Sequence, residues 1–210
     1  IMTGCPATNM LVSTYMKDLM KKTKPSHAYE AIKRNHAPGG MMSYESADDL
    51  KFYVKKGYCP GNAGKTLEWA FQDWGLSRMA LRMGKKSDAA LYEKRSRAWT
   101  PLFNKNIGLI LPKKENGEWL HTDPLNGQGW VEANAWQATW SVSHDLPKLV
   151  ELMGGGDAFC EKLNYAFEQA RPTDFVHAYS GGYVSYANQP GCSNAHLFTY
   201  GGKPWLTQYW

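Results

Sequence analysis

Residues 65–83 read KTLEWAFQDWGLSRMALRM, and this stretch decides the fold. Its apolar residues recur at helical spacing and fall on two sides of one helix. One side carries Leu67, Ala70, Phe71 and Trp74, and the other carries Leu76, Met79, Ala80 and Met83. Gly84 follows as a helix stop. Because a helix with apolar surface on two sides is normally enclosed by other elements, the stretch predicts an inner helix between two layers.

Helical patterns continue on both sides of this inner helix. Upstream, we expect helices over residues 8–22, from Pro25 through Lys33, and between the N-cap Ser46 and the stop at Gly57. Downstream, Ser87 is expected to cap a helix to about Trp99. Further helices are expected over 135–140, 147–153, 157–169 and 193–200.

One segment breaks the helical pattern. Residues 107–111 and 118–120 flank Asn116-Gly117, which is typical of a tight β-hairpin turn. The count of about nine helices in successive pairs, without strand–helix alternation, disfavours a doubly wound sheet. The sequence therefore predicts an all-α fold, an α/α toroid or part of one, with a small inserted β-hairpin.

Composition limits the classes of partner. The chain has 210 residues, which suits one domain or part of a larger one, and its formal net charge is only +5. The basic run at residues 17–24 is typical of a solvated helix end, so we expect no nucleic-acid partner. No apolar run approaches ~18 residues, so we expect no membrane span. The nine Trp and twelve Tyr residues are suggestive, because sugar rings pack on aromatic faces.

The four cysteines and the first residues leave two questions open. Cys5, Cys59, Cys160 and Cys192 form no CxxC pair, so a zinc site is poorly supported. Their even number permits disulfides, although free buried thiols are favoured. The sequence starts at Ile1 without Met or a signal peptide, which is typical of a processed or truncated chain.

The segment Trp130-Val131-Glu132-Ala133-Asn134-Ala135-Trp136-Gln137 is the most suggestive chemically. A carboxyl group among aromatic faces tends to stay protonated, as a general acid must before it donates to a leaving oxygen. Amide side chains nearby can bind sugar hydroxyls. The residues alone also allow a plainer interpretation, in which Glu132 faces a helix N-terminus and the aromatic residues only pack.

Several ordered motifs resemble glycoside hydrolase family 92, the calcium-dependent exo-α-mannosidases. The matching stretches are Gly57-Tyr58-Cys59-Pro60, Lys65-Thr66-Leu67-Glu68-Trp69-Ala70 with Asp73-Trp74, Glu132-Ala133-Asn134-Ala135-Trp136-Gln137 with Thr139-Trp140, His144-Asp145, Leu152-Met153-Gly154-Gly155, Asn188-Gln189-Pro190 and Gly202-Lys203-Pro204-Trp205 with Thr207-Gln208. Their order and spacing fit the family from about residue 26 to residue 210.

The resemblance implies a six-hairpin α/α barrel, normally preceded by a β-sandwich domain. Residues 1–210 would then be a portion of the catalytic domain, with the β-sandwich and the C-terminal end of the barrel outside it. It also implies hydrolysis of terminal α-linked mannose with inversion, which needs an acid and a base roughly 6.5–9.5 Å apart. Mannose-containing glycans would be the substrate, and Ca²⁺ would bind mannose hydroxyls in the complete enzyme.

The resemblance also assigns residues. Glu132 would be the general acid, and Trp130, Asn134, Trp136 and Gln137 would surround it and the sugar. Asn188 and Gln189 would contact sugar or metal. The family is found in secreted, periplasmic or secretory-lumen settings, which sets the expected location.

The sequence departs from the family pattern in three places. Gln189 stands where the family usually has Glu, and Gly191-Cys192-Ser193 stands where it has Ser-His-His. The family's catalytic base lies in an acidic motif downstream of the Pro-Trp-x-Thr-Gln segment, beyond Trp210. We therefore expect the isolated chain to be inactive. We also expect Trp205, Tyr209 and Trp210, together with one flank of the barrel, to be covered by the rest of the polypeptide or another subunit.

Two alternatives remain at this point. A non-catalytic carbohydrate-binding or structural module derived from the fold would explain the substitutions at 189 and 191–193. A toroid scaffold for protein contacts is less well supported, because it leaves the Glu132–Gln137 segment unexplained.

Overall fold

The structure is a computed structural model that describes residues 4–177 and 180–210. The first three residues, on which the expectation of a processed start rests, lie outside this range. The chain divides into two compact units. The first comprises Ile1–Pro60 with Lys65–Pro101, and the second comprises Gly61–Gly64 with Leu102–Trp210.

The first unit is helical. Its elements are α1 (Ala7–Met16), α2 (Pro25–Asn35), α3 (Met42–Glu45), α4 (Ala47–Lys56), α5 (Ala63–Arg82, whose first two residues belong to the second unit) and α6 (Lys86–Arg95). Helix α4 has the predicted ends, since the Ser46 hydroxyl accepts from the Asp49 N–H at 3.1 Å and Gly57 is left-handed at φ 88°. The prediction that Ser87 caps the next helix was wrong. Helix α6 begins at Lys86, and the side chain of the preceding residue, Lys85, makes no capping hydrogen bond.

Helix α5 occupies the interior, as predicted. Trp69, Leu76 and Met79 are fully buried along it. Leu76 and Met79 belong to one apolar cluster, which also contains Val12, Ala28, Tyr29, Ile32, Ala80, Ala89 and Tyr92. Burying each large apolar side chain stabilises the fold by ~1.5–3 kcal/mol, so this cluster fixes α1, α2 and α6 around α5.

A buried polar network crosses the same unit. His36 Nδ1 lies 2.8 Å from one Asp73 oxygen, and His36 Nε2 lies 2.9 Å from the Thr8 hydroxyl. The other Asp73 oxygen accepts from Tyr53 Oη at 2.9 Å and from Arg95 Nε at 2.7 Å. Asp73 and His36 are fully buried, so the carboxylate is tolerated only because its oxygens are satisfied by these donors.

The second unit contains the short strands and the remaining helices. Strands β1 (Phe103–Asn104) and β2 (Leu109–Ile110) pair antiparallel, with Phe103 opposite Ile110. Helices α7 (Ala135–Ala138), α8 (Leu146–Leu152), α9 (Gly156–Ala170) and α10 (Pro204–Tyr209) follow. Short 3₁₀ segments span Thr100–Leu102 (Thr100 and Pro101 in the first unit), Thr139–Ser141, Arg171–Thr173 and Gln189–Thr199.

The predicted β-hairpin is present with a different pairing. Gly117 makes the turn at φ 87°, and Lys113 and Trp119 form a single bridge across it. The paired strand residues lie earlier in the chain, at β1 and β2. Pro112 has no N–H to donate, which interrupts the ladder between β2 and the turn.

Three further expectations have structural outcomes. All four cysteines are thiols outside any disulfide, with Cys5, Cys59 and Cys160 buried and Cys192 exposed. Among the described residues no helix has the length and apolar character to cross a bilayer. Trp205 and Tyr209 are exposed, at 58% and 61%, while Trp210 is half-buried against Phe167.

Candidate active site

Glu132 lies on an exposed turn with an unusual backbone. Its φ is 52°, in the left-handed region that residues with a Cβ rarely adopt. The residue is exposed, and so is Val131 before it. The carboxyl is therefore not enclosed by aromatic rings, contrary to the expectation from the sequence. Two features define this position, namely exposure of the side chain and a strained backbone of the kind that often occurs at functional sites.

The turn is fixed from the N-terminal side. The Gly129 carbonyl accepts from the Ala63 N–H at 2.8 Å, and the Trp130 N–H donates to the Gly127 carbonyl at 3.2 Å. Gly129 has φ 83°, and a Cβ there would lie 2.8 Å from Pro112, so only glycine fits. Trp130 is buried below the turn at 9% exposure.

Asn134 fastens the C-terminal side of the turn to a second loop. Its Oδ1 accepts from the Gln137 N–H at 3.1 Å and so caps α7. Its Nδ2 donates to the Ser180 and Gly182 carbonyls, each at 2.9 Å. Asn134 is fully buried, and all these groups are engaged within the protein. In this structure Asn134 acts as a clamp between the Glu132 turn and the loop at 180–182.

Gln137 strengthens the same connection. Its Nε2 donates to the Gly181 carbonyl. Gly182 has φ 67°. Two amide side chains thus hold three consecutive carbonyls of one loop.

Trp136 anchors a partly open group of aromatic rings. Its ring lies 5.1 Å from that of Tyr183 and 5.5 Å from that of Tyr165. Lys162 Nζ lies 5.2 Å from the Trp136 ring and donates to the Ile107 carbonyl. Tyr165 is 47% exposed, so the group has one face open to solvent.

Burial changes the acidity of two members of this group. Burial lowers the pKa of the Lys162 ammonium below its usual range. Burial, followed by the hydrogen bond with Tyr165, raises the pKa of the Tyr183 hydroxyl. Tyr183 therefore remains a neutral hydroxyl group at neutral pH.

Asn188 links the end of the second loop to Glu132. Its Nδ2 donates to the Glu132 carbonyl at 3.1 Å, and its Oδ1 accepts from the Gln189 N–H at 2.9 Å. Gln189 is exposed beside it. The hydrogen bonds of Asn134 and Asn188 on either side hold the Glu132 turn in its left-handed conformation.

Comparisons with known proteins identify the family. The model of the glycosyl hydrolase family 92 catalytic domain matches residues 1–210. The chain belongs to glycosyl hydrolase family 92. A family 92 inverting mannosidase from Bacteroides thetaiotaomicron superposes with a TM-score of 0.82 at 28% identity, covering 100% of this chain and 31% of that one.

Two further proteins are similar to this chain. A family 92 α-mannosidase from the same organism, solved in complex with mannoimidazole, has a TM-score of 0.84 at 24% identity and shows the same fold. The superposition covers 100% of this chain and 29% of that one. A fungal protein named an uncharacterized secreted glycosidase, from Arthroderma benhamiae, is 24% identical over 97% of this chain and 30% of its own length.

These comparisons confirm the predicted fold class, an all-α portion of the family 92 toroid with a small inserted hairpin. The chain spans about 30% of the length of the relatives it matches.

The carboxylate, imidazole and thiol side chains of the described residues do not cluster into a metal site. In 4–177 and 180–210, no group of three His, Cys, Asp or Glu side chains is placed to hold an ion. Calcium takes about six to eight oxygen ligands. The side chains of Asn188 and Gln189 offer only amide oxygens, and Asn188 Oδ1 already accepts a hydrogen bond from the Gln189 N–H. These two residues could therefore supply only part of a calcium ligand set.

A hydrogen bond joins Asn188 to Glu132, while Asn134 holds the 180–182 loop next to the same turn, and the sequence had singled out all three residues. The structure also adds residues that the sequence did not suggest, namely Tyr165, Tyr183 and Lys162. No local pattern in residues 162–165 or 180–186 distinguishes them.

Proposed function

We propose that the protein containing this chain is an exo-α-mannosidase that removes terminal α-linked mannose from glycans with inversion, using Glu132 as general acid. The observation that carries the proposal is the match of the family 92 catalytic domain over the whole chain. The resemblance of residues 132–137 to a family motif assigns the acid role to Glu132. The mannosidases among its structural relatives support mannose as the sugar.

Glu132 has the access that a proton donor needs. Its side chain is exposed, so a glycosidic oxygen can approach within hydrogen-bond distance. Its backbone is held by the Asn188 amide and by the Asn134 clamp on the following residues. Such fixation limits the positions that the carboxyl can take, which favours proton transfer to a bound leaving group.

In an inverting reaction, Glu132 gives its proton to the departing oxygen while a base activates water on the opposite face of the sugar. The family pattern assigns this base to polypeptide outside residues 1–210, so the proposal expects the isolated chain to be inactive. Asn188 and Gln189 would orient the sugar or contribute oxygens to calcium. Bound calcium would supply electrostatic stabilisation and hold neighbouring mannose hydroxyls.

Tyr165 and Tyr183, which are partly exposed and pack on the buried Trp136, offer a surface for the apolar side of a sugar ring. Trp130, Asn134 and Gln137 are buried, and in this proposal they support the site from below. We further propose a location outside the cytosol, which the name of the fungal relative supports.

The test is hydrolysis by the full-length protein, followed by NMR of the first product. The proposal expects release of β-mannose from an α-mannoside and loss of activity when calcium is chelated. Release of α-mannose would contradict inversion. Saturable binding of mannosides without turnover would favour the carbohydrate-binding module instead.

A further inference from the structure

A basic cavity lies in the first unit, formed by residues that the proposed reaction does not use. Its volume is about 380 Å³, within the range of small-molecule sites. Five cationic side chains line it, and no acidic residue does: Lys55, Lys56, Lys94, Arg95 and Arg97.

Two helix C-termini meet at this cavity, and their negative partial charges offset only part of its positive charge. Lys55 and Lys56 end α4, and Lys94 and Arg95 end α6. Each helix terminus carries about −0.5 elementary charge, so the two together offset about one cation.

Ion pairs offset the charge of one arginine and part of the charge of the other. Arg95 Nε pairs with Asp73 at 2.7 Å, and Arg97 pairs at 3.5 Å with Glu93, which also pairs with Arg78. Within the described part of the chain, Lys55, Lys56 and Lys94 have no ion-pair partner. Three lysines minus about one charge from the helix termini leave an excess of about +2 at the cavity.

Arg95 is held rigidly in the wall of the cavity. Its Nε donates to Asp73 and its Nη1 donates to the His36 carbonyl at 3.2 Å, which fixes the guanidinium. Its Nη2 is buried and has no hydrogen-bond partner among the described residues. The side chain is only 11% exposed. The fixed guanidinium is therefore a rigid part of the wall, and the accessible cationic donors of the cavity are the exposed Lys55, Lys56 and Lys94.

The remaining walls are largely apolar. Val54, Leu91, Ala98 and Pro101 line the cavity with Tyr53. Val54 and Leu91 are about half exposed, at 49% and 48%, so an organic group that enters would cover them. A free inorganic anion would leave these surfaces uncovered.

We propose that this cavity binds a small organic phosphate of sugar-phosphate size, with the phosphate on the lysines and the carbon skeleton against Val54 and Leu91. A phosphate monoester carries about −1.5 to −2 charges near neutral pH, which matches the excess of about +2. A single carboxylate would neutralise only half of it.

The experiment is calorimetric titration of the full-length protein at physiological salt with glucose 6-phosphate, glucose and inorganic phosphate. Glucose 6-phosphate should bind saturably and at least about tenfold more tightly than either fragment. Equal binding of glucose would show a neutral sugar site, and equal binding of inorganic phosphate would show that the apolar walls contribute nothing. Either result overturns the proposal, as does the absence of saturable binding.

Variants locate the binding. The double variant Lys56→Gln/Lys94→Gln should lower the affinity for glucose 6-phosphate by about tenfold or more. Lys94→Arg, which keeps the charge, should leave that affinity within about threefold of the unsubstituted protein. The matched control Lys21→Gln/Lys22→Gln removes two exposed lysines of the same unit that lie outside the cavity, and should change nothing. Affinity that survives the first double variant, or falls equally in the control, overturns the site.

Discussion

Replacing Glu132 by glycine should stabilise the protein while removing the proposed proton donor. Glu132 holds φ 52° on an exposed turn. A residue with a Cβ pays about 1–2 kcal/mol in this region, because the Cβ crowds the following carbonyl oxygen. Glycine avoids that cost but gains about 0.4–1 kcal/mol of unfolded-state entropy, which opposes folding. The net difference should favour glycine by about 0.5–1 kcal/mol.

The matched control is Glu132→Ala, which removes the carboxyl and keeps the Cβ. Urea unfolding followed by tryptophan fluorescence compares the two variants in one background. Glu132→Gly should unfold at higher urea than Glu132→Ala, and both should lose activity. If glycine is equal to alanine or less stable, the left-handed conformation carries no strain and the reasoning from φ fails.

Three further changes test other parts of the account. Asn134→Asp keeps the oxygen that caps α7 but places a second oxygen against the Ser180 and Gly182 carbonyls. Urea unfolding should therefore show a free energy of unfolding lower by about 3 kcal/mol. A decrease below about 0.5 kcal/mol would contradict the clamp. Trp205→Ser in the full-length protein should cost ~1.5–3 kcal/mol if other polypeptide covers this ring, whereas a negligible thermal shift would show that it stays exposed as here. Hydrogen bonds from Lys33 and then Tyr29 hold the pKa of Asp88 below its ordinary 3.8, so its stabilisation is present above that pH and is lost as pH falls through the lowered value. The cost of Asp88→Asn, about 1 kcal/mol at pH 7, should therefore shrink towards zero well below pH 3.8 in urea unfolding, and a constant cost would exclude this ionisation.

Local signals predicted α4 and the interior position of α5 well. Ser46 and Gly57 are caps that act within a few residues, and the apolar pattern of α5 is continuous over five turns. Such features depend on the chain nearby, so the sequence is sufficient to reveal them.

Helix α1 shows where local signals fail. Its apolar spacing predicted a helix over residues 8–22, but α1 ends at Met16 and Asp18 is left-handed at φ 57°. Arg82 Nη1 donates to the Tyr15 and Met16 carbonyls, and its Nη2 donates to Asp18 at 2.7 Å. This contact, from a residue 64 positions away, satisfies the helix end early, and no pattern within 8–22 contains it.

In the candidate site, too, some features follow from the nearby sequence and others depend on distant residues. Glu132 was suggested by its own segment, but its exposure depends on the turn conformation. The clamping role of Asn134 depends on carbonyls 46 and 48 residues downstream. A side chain expected to face sugar is instead engaged with a distant backbone, which only the tertiary structure reveals.

The most direct test of the central claim is the leaving-group dependence of Glu132→Gln in the full-length protein. Aryl α-mannosides with poor and good leaving groups are compared by kcat/KM against the unsubstituted enzyme. If Glu132 donates the proton, the poor leaving group should slow by ~10²-fold or more, while the good one, which departs without protonation, should change far less. Unchanged turnover of the poor leaving group, or equal losses for both, would contradict Glu132 as the general acid.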